Sequence, residues 1–270
     1  MNIQTLRKNK NLTQAQLAEV LGVTPQAVSK WETAQSAPDL SLLPVLARFF
    51  GVTMDELFGY RLDALNYKER FIRFMADNGV LQFGEFKLRS GRISPYFIQT
   101  GNYRSAGQIA KLGEFYAECM RENNVESNLL VGNTKREIPI MMATALVLFN
   151  RYGVDMRYSI DGEAGKQPGE RDRVTLIKDT LTSGKTLRDT LENLQTGTGA
   201  KVSHIIVSVD RMEKGEGTDL SACEQLEEQY GAKVHAIVTL DDIILAVEKG
   251  LVGSAEHLPA LKRYREMYGK

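Results

Sequence analysis

The run Thr-Ser-Gly-Lys-Thr at 182–186 follows an apolar stretch, 174–177, and a charged pair, Lys178-Asp179. A buried strand that ends in such a turn and runs on into a helix gathers backbone N–H groups and the hydroxyls of Thr182, Ser183 and Thr186 about one point. That is an anion nest suited to a phosphate. Gly184 keeps the nest open for close approach, and Lys185 adds positive charge. An ordinary strand-to-helix turn capped by serine or threonine has the same spelling, and Asp179 at the strand end is equally suited to a helix-turn hydrogen bond. His204, His235 and His257 have no paired metal-ligand spacing, and Cys119 and Cys223 are too far apart for any, so no metal centre is expected.

A second kind of chemistry lies in the first sixty residues. Up to Trp31 the chain carries Arg7, Lys8, Lys10 and Lys30 against Glu19, although the formal net charge of the whole is zero. Positive charge is therefore local, and no whole-molecule basic field argues for nucleic acid. Thr13 is placed to cap a helix, Leu21-Gly22-Val23 to turn the chain, and Thr24-Pro25 to open the next helix with proline at its favoured first position.

The elements that must position these groups divide the chain. Residues 2–60 read as short helices with apolar residues at helical spacing, and 61–69 as a short connector running towards a helix. From 70 onward apolar segments at 128–132, 156–160, 173–179, 202–210 and 234–240 read as buried strands. They alternate with helical patterns at 108–121, 139–149, 185–194 and 223–230. Such alternation implies an α/β unit with a mostly parallel sheet, whose ligands collect beyond the carboxyl ends of the strands. The expected organisation is an all-α unit over 1–60, the connector 61–69, and the α/β unit over 70–270. Ordinary apolar and charged fractions, the lack of a bilayer-length apolar run or a signal segment, and two separated cysteines point to a soluble cytoplasmic protein with reduced thiols.

Thr-Gln-x-x-Leu-Ala, Leu-Gly-Val-Thr and Val-Ser-x-Trp-Glu, in that order, resemble the helix-turn-helix of Cro and lambda-repressor type proteins. That resemblance implies that the helix from Thr24 enters the major groove of double-stranded DNA, with Gln26, Ser29 and Lys30 reading bases or backbone. Gln14 and Arg7 would hold phosphates. A helical bundle used for protein contact is the other reading of the same residues.

From Arg70 onward the chain resembles orotate phosphoribosyltransferases. The segment 83–97, Phe-Gly-Glu-Phe-Lys-Leu-Arg-Ser-Gly-Arg-Ile-Ser-Pro-Tyr-Phe, is similar to that family's entrance to the orotate site. The stretch 129–140 resembles the diphosphate loop, and Ser208-Val-Asp-Arg211 carries the Asp-Arg pair. The tail 255–268 follows as well. The resemblance implies a type I phosphoribosyltransferase fold and a twofold homodimer, which would favour an inverted-repeat operator. On the ligand side it implies that Arg211 meets a carboxylate or pyrimidine carbonyl and Phe97 forms an apolar wall. Arg89 stands in for a usual lysine, and Arg136 with Lys135 faces phosphate.

Three departures break the family pattern. Lys178-Asp179 stands where the family has two acids. Glu137 stands where it has glycine. Asp161-Gly162 and Gly165-Lys166-Gln167-Pro168 stand in place of the basic mobile loop, leaving Lys166 as its one basic visitor. No catalytic residue is therefore assigned, and magnesium enters the expectation only if a phosphoribosyl diphosphate-type ligand binds. The expected function is a transcriptional regulator whose α/β unit senses a nucleotide, a pyrimidine or another phosphate-bearing ligand. Its rivals are an active orotate phosphoribosyltransferase with its own repressor domain, and a module whose partner is a protein.

Overall fold

The computed structural model describes residues 3–52, 54–58, 66–88, 91–160, 168–181, 185–214 and 220–270. The chain falls into two compact units, Met1–Ala64 and Leu65–Lys270.

The described elements of the first unit are all helices. Helix α1 spans Ile3–Asn9, α2 Gln14–Leu21, α3 Pro25–Glu32, α4 Leu43–Phe50 and α5 Met54–Phe58. The caps lie where the sequence puts them. Thr13 and Gln16 close a reciprocal capping box on α2, and Thr24 accepts the backbone N–H of Ala27 at the start of α3. Gly22, at φ 66°, takes the left-handed conformation that ends α2 and sets the sharp turn into α3. Ile3, Leu17, Ala18, Leu21, Val28, Trp31, Leu46 and Leu57 fill the core between the helices.

The second unit opens with α6, Tyr67–Asp77, capped by Asn66 and Glu69. Residues 67–69, expected in the connector, thus belong to the first helix of this unit. An antiparallel pair follows, β1 Leu81–Lys87 and β2 Ile93–Ile98. Helix α7, Ala106–Glu122, leads to β3 Leu129–Gly132, α8 Glu137–Tyr152, β4 Arg157–Ile160, β5 Arg173–Leu181, α9 Lys185–Thr198 and β6 Lys201–Asp210. The chain ends with α10 Ala222–Tyr230, β7 Lys233–Thr239, α11 Leu240–Glu248 and α12 Leu258–Tyr268.

Strands β3 to β7 form one parallel sheet in the order β4-β3-β5-β6-β7. Both faces of the inner strands are covered, as parallel sheets require, while the edge strand β4, expected as buried, leaves Arg157 and Tyr158 exposed. One core gathers Ile177, Ile206 and Ile237 with α6, α7, α8, α11 and α12; the other gathers Val174, Leu176 and Val207 with α9 and α10. Helices α7 and α8 approach so closely at Gly113 that an added Cβ would lie 2.6 Å from the Ala143 carbonyl carbon. The order places the carboxyl ends of β3 and β5 side by side.

Candidate functional site

In the first unit, α3 presents the expected reading residues outward: Gln26 and Lys30 are exposed and Ser29 is half-buried, while Val28 and Trp31 of the same helix fill the core. Thr24 is exposed as the helix cap.

Arg7 does something else. Its guanidinium donates from Nε to Glu32 Oε1 at 2.6 Å and from Nη2 to Glu32 Oε2 at 3.0 Å, and a further bond goes from Nη1 to the Leu12 carbonyl at 2.5 Å. The side chains are 11% and 1% exposed. Three of the five guanidinium N–H groups, including the fork that would grip a phosphate, are spent on Glu32 and the Leu12 carbonyl in a nearly closed site, so the geometry assigns Arg7 a structural role in place of the expected phosphate contact. Gln14 is tied to the same carboxylate, donating from Nε2 to Glu32 Oε2 at 2.8 Å. Its side chain is likewise an internal brace. Arg7's hydrogen bond, with Gln14's, holds the Glu32 carboxyl below its usual range.

In the second unit β5 ends at Leu181 and α9 begins at Lys185. Thr182, Ser183 and Gly184 lie outside the described residues, as do Arg89, Lys166 and the departures at Asp161, Gly162 and Gly165; Lys185 and Thr186 open α9.

Neighbouring residues on a strand point to opposite faces, so Lys178 and Asp179 have separate partners. Asp179 Oδ2 accepts from Thr100 Oγ1 at 2.6 Å, and Arg136 Nη1 reaches Thr100 Oγ1 at 3.0 Å and Asp179 Oδ2 at 3.8 Å. Burial pushes the Asp179 carboxyl above its usual range, against the Thr100 hydrogen bond. Tyr116 donates to the Lys178 carbonyl at 2.6 Å and fixes the strand end from below. The Tyr103 hydroxyl is buried without a hydrogen-bond partner among the described residues. Lys135 and Arg136 are exposed at the loop after β3, where a phosphate can reach them.

Lys178 turns to the other side. Its Nζ lies 2.7 Å from Glu137 Oε1 and donates to Asn133 Oδ1 at 3.1 Å; the Lys178 and Glu137 side chains are 8% and 5% exposed. The Asn133 backbone N–H donates to Glu137 Oε2 at 3.3 Å. Two of the departures read separately in the sequence are therefore one buried ion pair. A magnesium ion seeks several oxygen ligands with net negative charge. Here the Glu137 oxygens are taken by an ammonium and an amide, and Asp179 Oδ2 is shared with Thr100 and Arg136. The residues present do not fit a metal–diphosphate complex.

Arg211 is held in an internal network. It is 6% exposed and donates from Nε to Glu213 Oε1 at 2.6 Å, and from Nη2 to Ser94 Oγ at 2.9 Å and Tyr264 Oη at 3.2 Å. Its guanidinium carbon stacks 4.3 Å from the Tyr96 ring centre. It braces the β1–β2 pair against α12, and its partners Ser94 and Tyr264 line a cavity of about 450 Å³. Phe97 stands half-buried on β2, stacked on Phe86 with ring centres 5.4 Å apart.

Sequence reasoning missed the His204–His235 contact. His204 Nδ1 and His235 Nε2 lie 3.0 Å apart on β6 and β7, towards the amino ends of these strands. Burial, then His204 and Lys233, push His235 down to about 4.

A parallel sheet in this strand order, with an antiparallel pair ahead of it and a polar turn leading from β5 into α9, defines the type I phosphoribosyltransferase fold class. The crystal structure of the Francisella tularensis orotate phosphoribosyltransferase superposes with a TM-score of 0.68 at 32% identity, covering 74% of this chain and all of that one. Leishmania donovani UMP synthase shares the fold, with a TM-score of 0.59 at 22% identity over 80% of this chain and 45% of its own. The orotate phosphoribosyltransferase of Colwellia psychrerythraea is 35% identical over 220 residues, 76% of this chain and 99% of that protein. That of Yersinia enterocolitica is 39% identical over 212 residues, 75% and 98%. Residues 3–57 match a helix-turn-helix family model. The chain belongs to the orotate phosphoribosyltransferase family and carries, ahead of that domain, a helix-turn-helix of the Cro type.

Proposed function

We propose that the protein is a sequence-specific DNA-binding transcriptional regulator whose phosphoribosyltransferase-like unit senses a nucleotide, pyrimidine or phosphoribosyl ligand without turnover. The observation that carries this reading is the Lys178 ammonium, buried at the strand end against Glu137, where a working site would concentrate negative charge. Asp179 with Thr100 and exposed Arg136 and Lys135 keep groups suited to a polar, phosphate-bearing ligand, and the sequence at 182–186 adds hydroxyls, a glycine and a lysine. On the DNA side Gln26, Ser29 and Lys30 of α3 read an inverted-repeat operator, presented twice by a homodimer acting in the cytoplasm.

A ligand shifts operator affinity only through a difference in its affinity for the DNA-competent and incompetent arrangements. The expected coupling is about five- to a hundredfold, and it is reciprocal. The test measures operator affinity with and without orotate, orotidine monophosphate and phosphoribosyl diphosphate, and ligand affinity with and without operator. A ligand that binds equally well in both states refutes sensing.

A second reading, an active orotate phosphoribosyltransferase with a fused regulatory domain, is favoured by the 35–39% identity along nearly the full length of curated enzymes of that name. Loss of orotate absorbance with phosphoribosyl diphosphate and magnesium separates the two. The sensing reading expects none, and conversion at about once per second or faster establishes the enzyme.

A further inference from the structure

The loop between β3 and α8 is filled from within. Gly132 packs so tightly that an added Cβ would stand 3.2 Å from the Glu137 carbonyl carbon, which brings the start of α8 back over the end of β3. Three backbone amides of this turn, at Asn133, Glu137 and Ile138, are spent internally. Asn133 N–H goes to Glu137 Oε2 at 3.3 Å, Glu137 N–H to Thr134 Oγ1 at 3.2 Å, and Ile138 N–H to the Thr134 carbonyl at 3.0 Å. The carboxylate that occupies this turn has its own cation, Lys178, at 2.7 Å, and Asn133 bridges the two by accepting from Lys178 at 3.1 Å.

We propose that Glu137 and Lys178 are built-in replacements for a bound diphosphate and its metal, so that the site rejects metal–diphosphate ligands and takes a nucleoside monophosphate without a divalent cation. This rests on the sensing reading above and names its ligand class.

The charges decide it. A diphosphate entering the loop meets the Glu137 carboxylate and, at Asn133, Glu137 and Ile138, amides that already have acceptors. A divalent cation meets the Lys178 ammonium, and displacing either partner strands the other as an unpaired buried charge. Within this group the pair sums to zero, so it neither attracts a metal nor needs one. Outside it, exposed Lys135 and Arg136 supply positive charge and donors enough for one phosphate group. Asp179, its Oδ2 held by Thr100, stays in reach of a sugar hydroxyl without metal help.

The experiment compares the full-length wild type with Glu137→Gly, Lys178→Asp and the double variant, by calorimetric titration of two probes. One is phosphoribosyl diphosphate with magnesium; the other is orotidine or uridine monophosphate, in EDTA and again in magnesium. Wild type should bind a monophosphate with the same affinity in EDTA and magnesium, and should show no binding of the diphosphate at millimolar concentration. The double variant should bind the diphosphate about a hundredfold or more tighter than either single variant, since neighbouring partners are strongly non-additive. Wild-type binding of the magnesium–diphosphate within fivefold of the double variant overturns the inference, as does a monophosphate affinity that collapses in EDTA. The wild-type comparison needs no variant to fold. If a ligand alters operator affinity but requires magnesium or a diphosphate, this inference fails while sensing stands. If no ligand alters operator affinity, sensing fails, and the diphosphate contrast between wild type and double variant still decides the exclusion.

Discussion

Replacing Arg7 with alanine separates a structural brace from a phosphate contact. The substitution removes all three guanidinium hydrogen bonds and leaves Glu32, 1% exposed, with Gln14 as its remaining side-chain partner. Breaking one side of a buried pair costs about 3–5 kcal/mol. A unit of 64 residues has a total stability of about 3–10 kcal/mol, so the loss takes a large share of it. Trp31 is the sole tryptophan of the chain and is buried in this unit, so its fluorescence follows this unit's unfolding alone. At a urea dependence of about 1 kcal/mol/M the Trp31 midpoint should fall by about 3 M or more, with the other unit unaffected. Because Arg7 holds the Glu32 carboxyl below its ordinary 4.5, this stabilisation is present above about pH 4.5 and fades as the pH drops through the lowered value. The alanine variant should lose that acid dependence. Pairing Arg7→Met with Glu32→Leu should recover most of the stability, since an apolar pair of similar volume leaves no buried charge. The reasoning is refuted if Arg7→Ala keeps the wild-type Trp31 midpoint while lowering the salt slope of DNA binding by about 0.9, the signature of one lost phosphate contact.

Gln26→Ala, at an exposed position of α3, should leave the Trp31 midpoint unchanged and relax preference at one operator base pair by about 1–3 kcal/mol; equal weakening on every sequence in a competition assay would exclude base reading. His235, pushed down to about 4, refuses a proton that the unfolded chain accepts near pH 6.5. Stability of the α/β unit should therefore fall by at most about 2 kcal/mol between pH 7 and 5, and His235→Asn should flatten that fall in denaturant titrations. Gly113→Ala drives a methyl group to 2.6 Å from the Ala143 backbone and should cost about 1–3 kcal/mol in thermal unfolding; an unchanged melting temperature would mean that α7 and α8 part freely.

What the sequence disclosed and what it hid follow from the range of the interactions. Caps and turns are local, so Thr13, Gly22, Thr24 and Pro25 announce their helices, and the buried strands show as apolar runs. The β1–β2 pair was legible as a motif but not as strands, because Gly84 interrupts the alternation and the register shifts between Phe83 and Phe86. Ion-pair partners are the hidden part. Arg7 and Glu32 lie 25 residues apart, and Arg211 meets a Ser94 that is 117 residues away. Cations in suitable motifs read as ligand contacts until their carboxylates are located. Glu137 and Lys178 carried one available signal: an unexpected anion at the start of α8 and an unexpected cation near the end of β5, which the parallel strand order brings together.

That pair also constrains how the sequence can change. Restoring an acid at 178 alone sets it beside Glu137, and restoring glycine at 137 alone strands Lys178 in a dry site. Each single step towards a catalytic arrangement passes through a less stable protein with no gain in chemistry, so mutation one residue at a time is held in place. A lineage bearing both residues is thus ratcheted away from catalysis, while the surface of α3, free of such coupling, remains open to drift towards new operators.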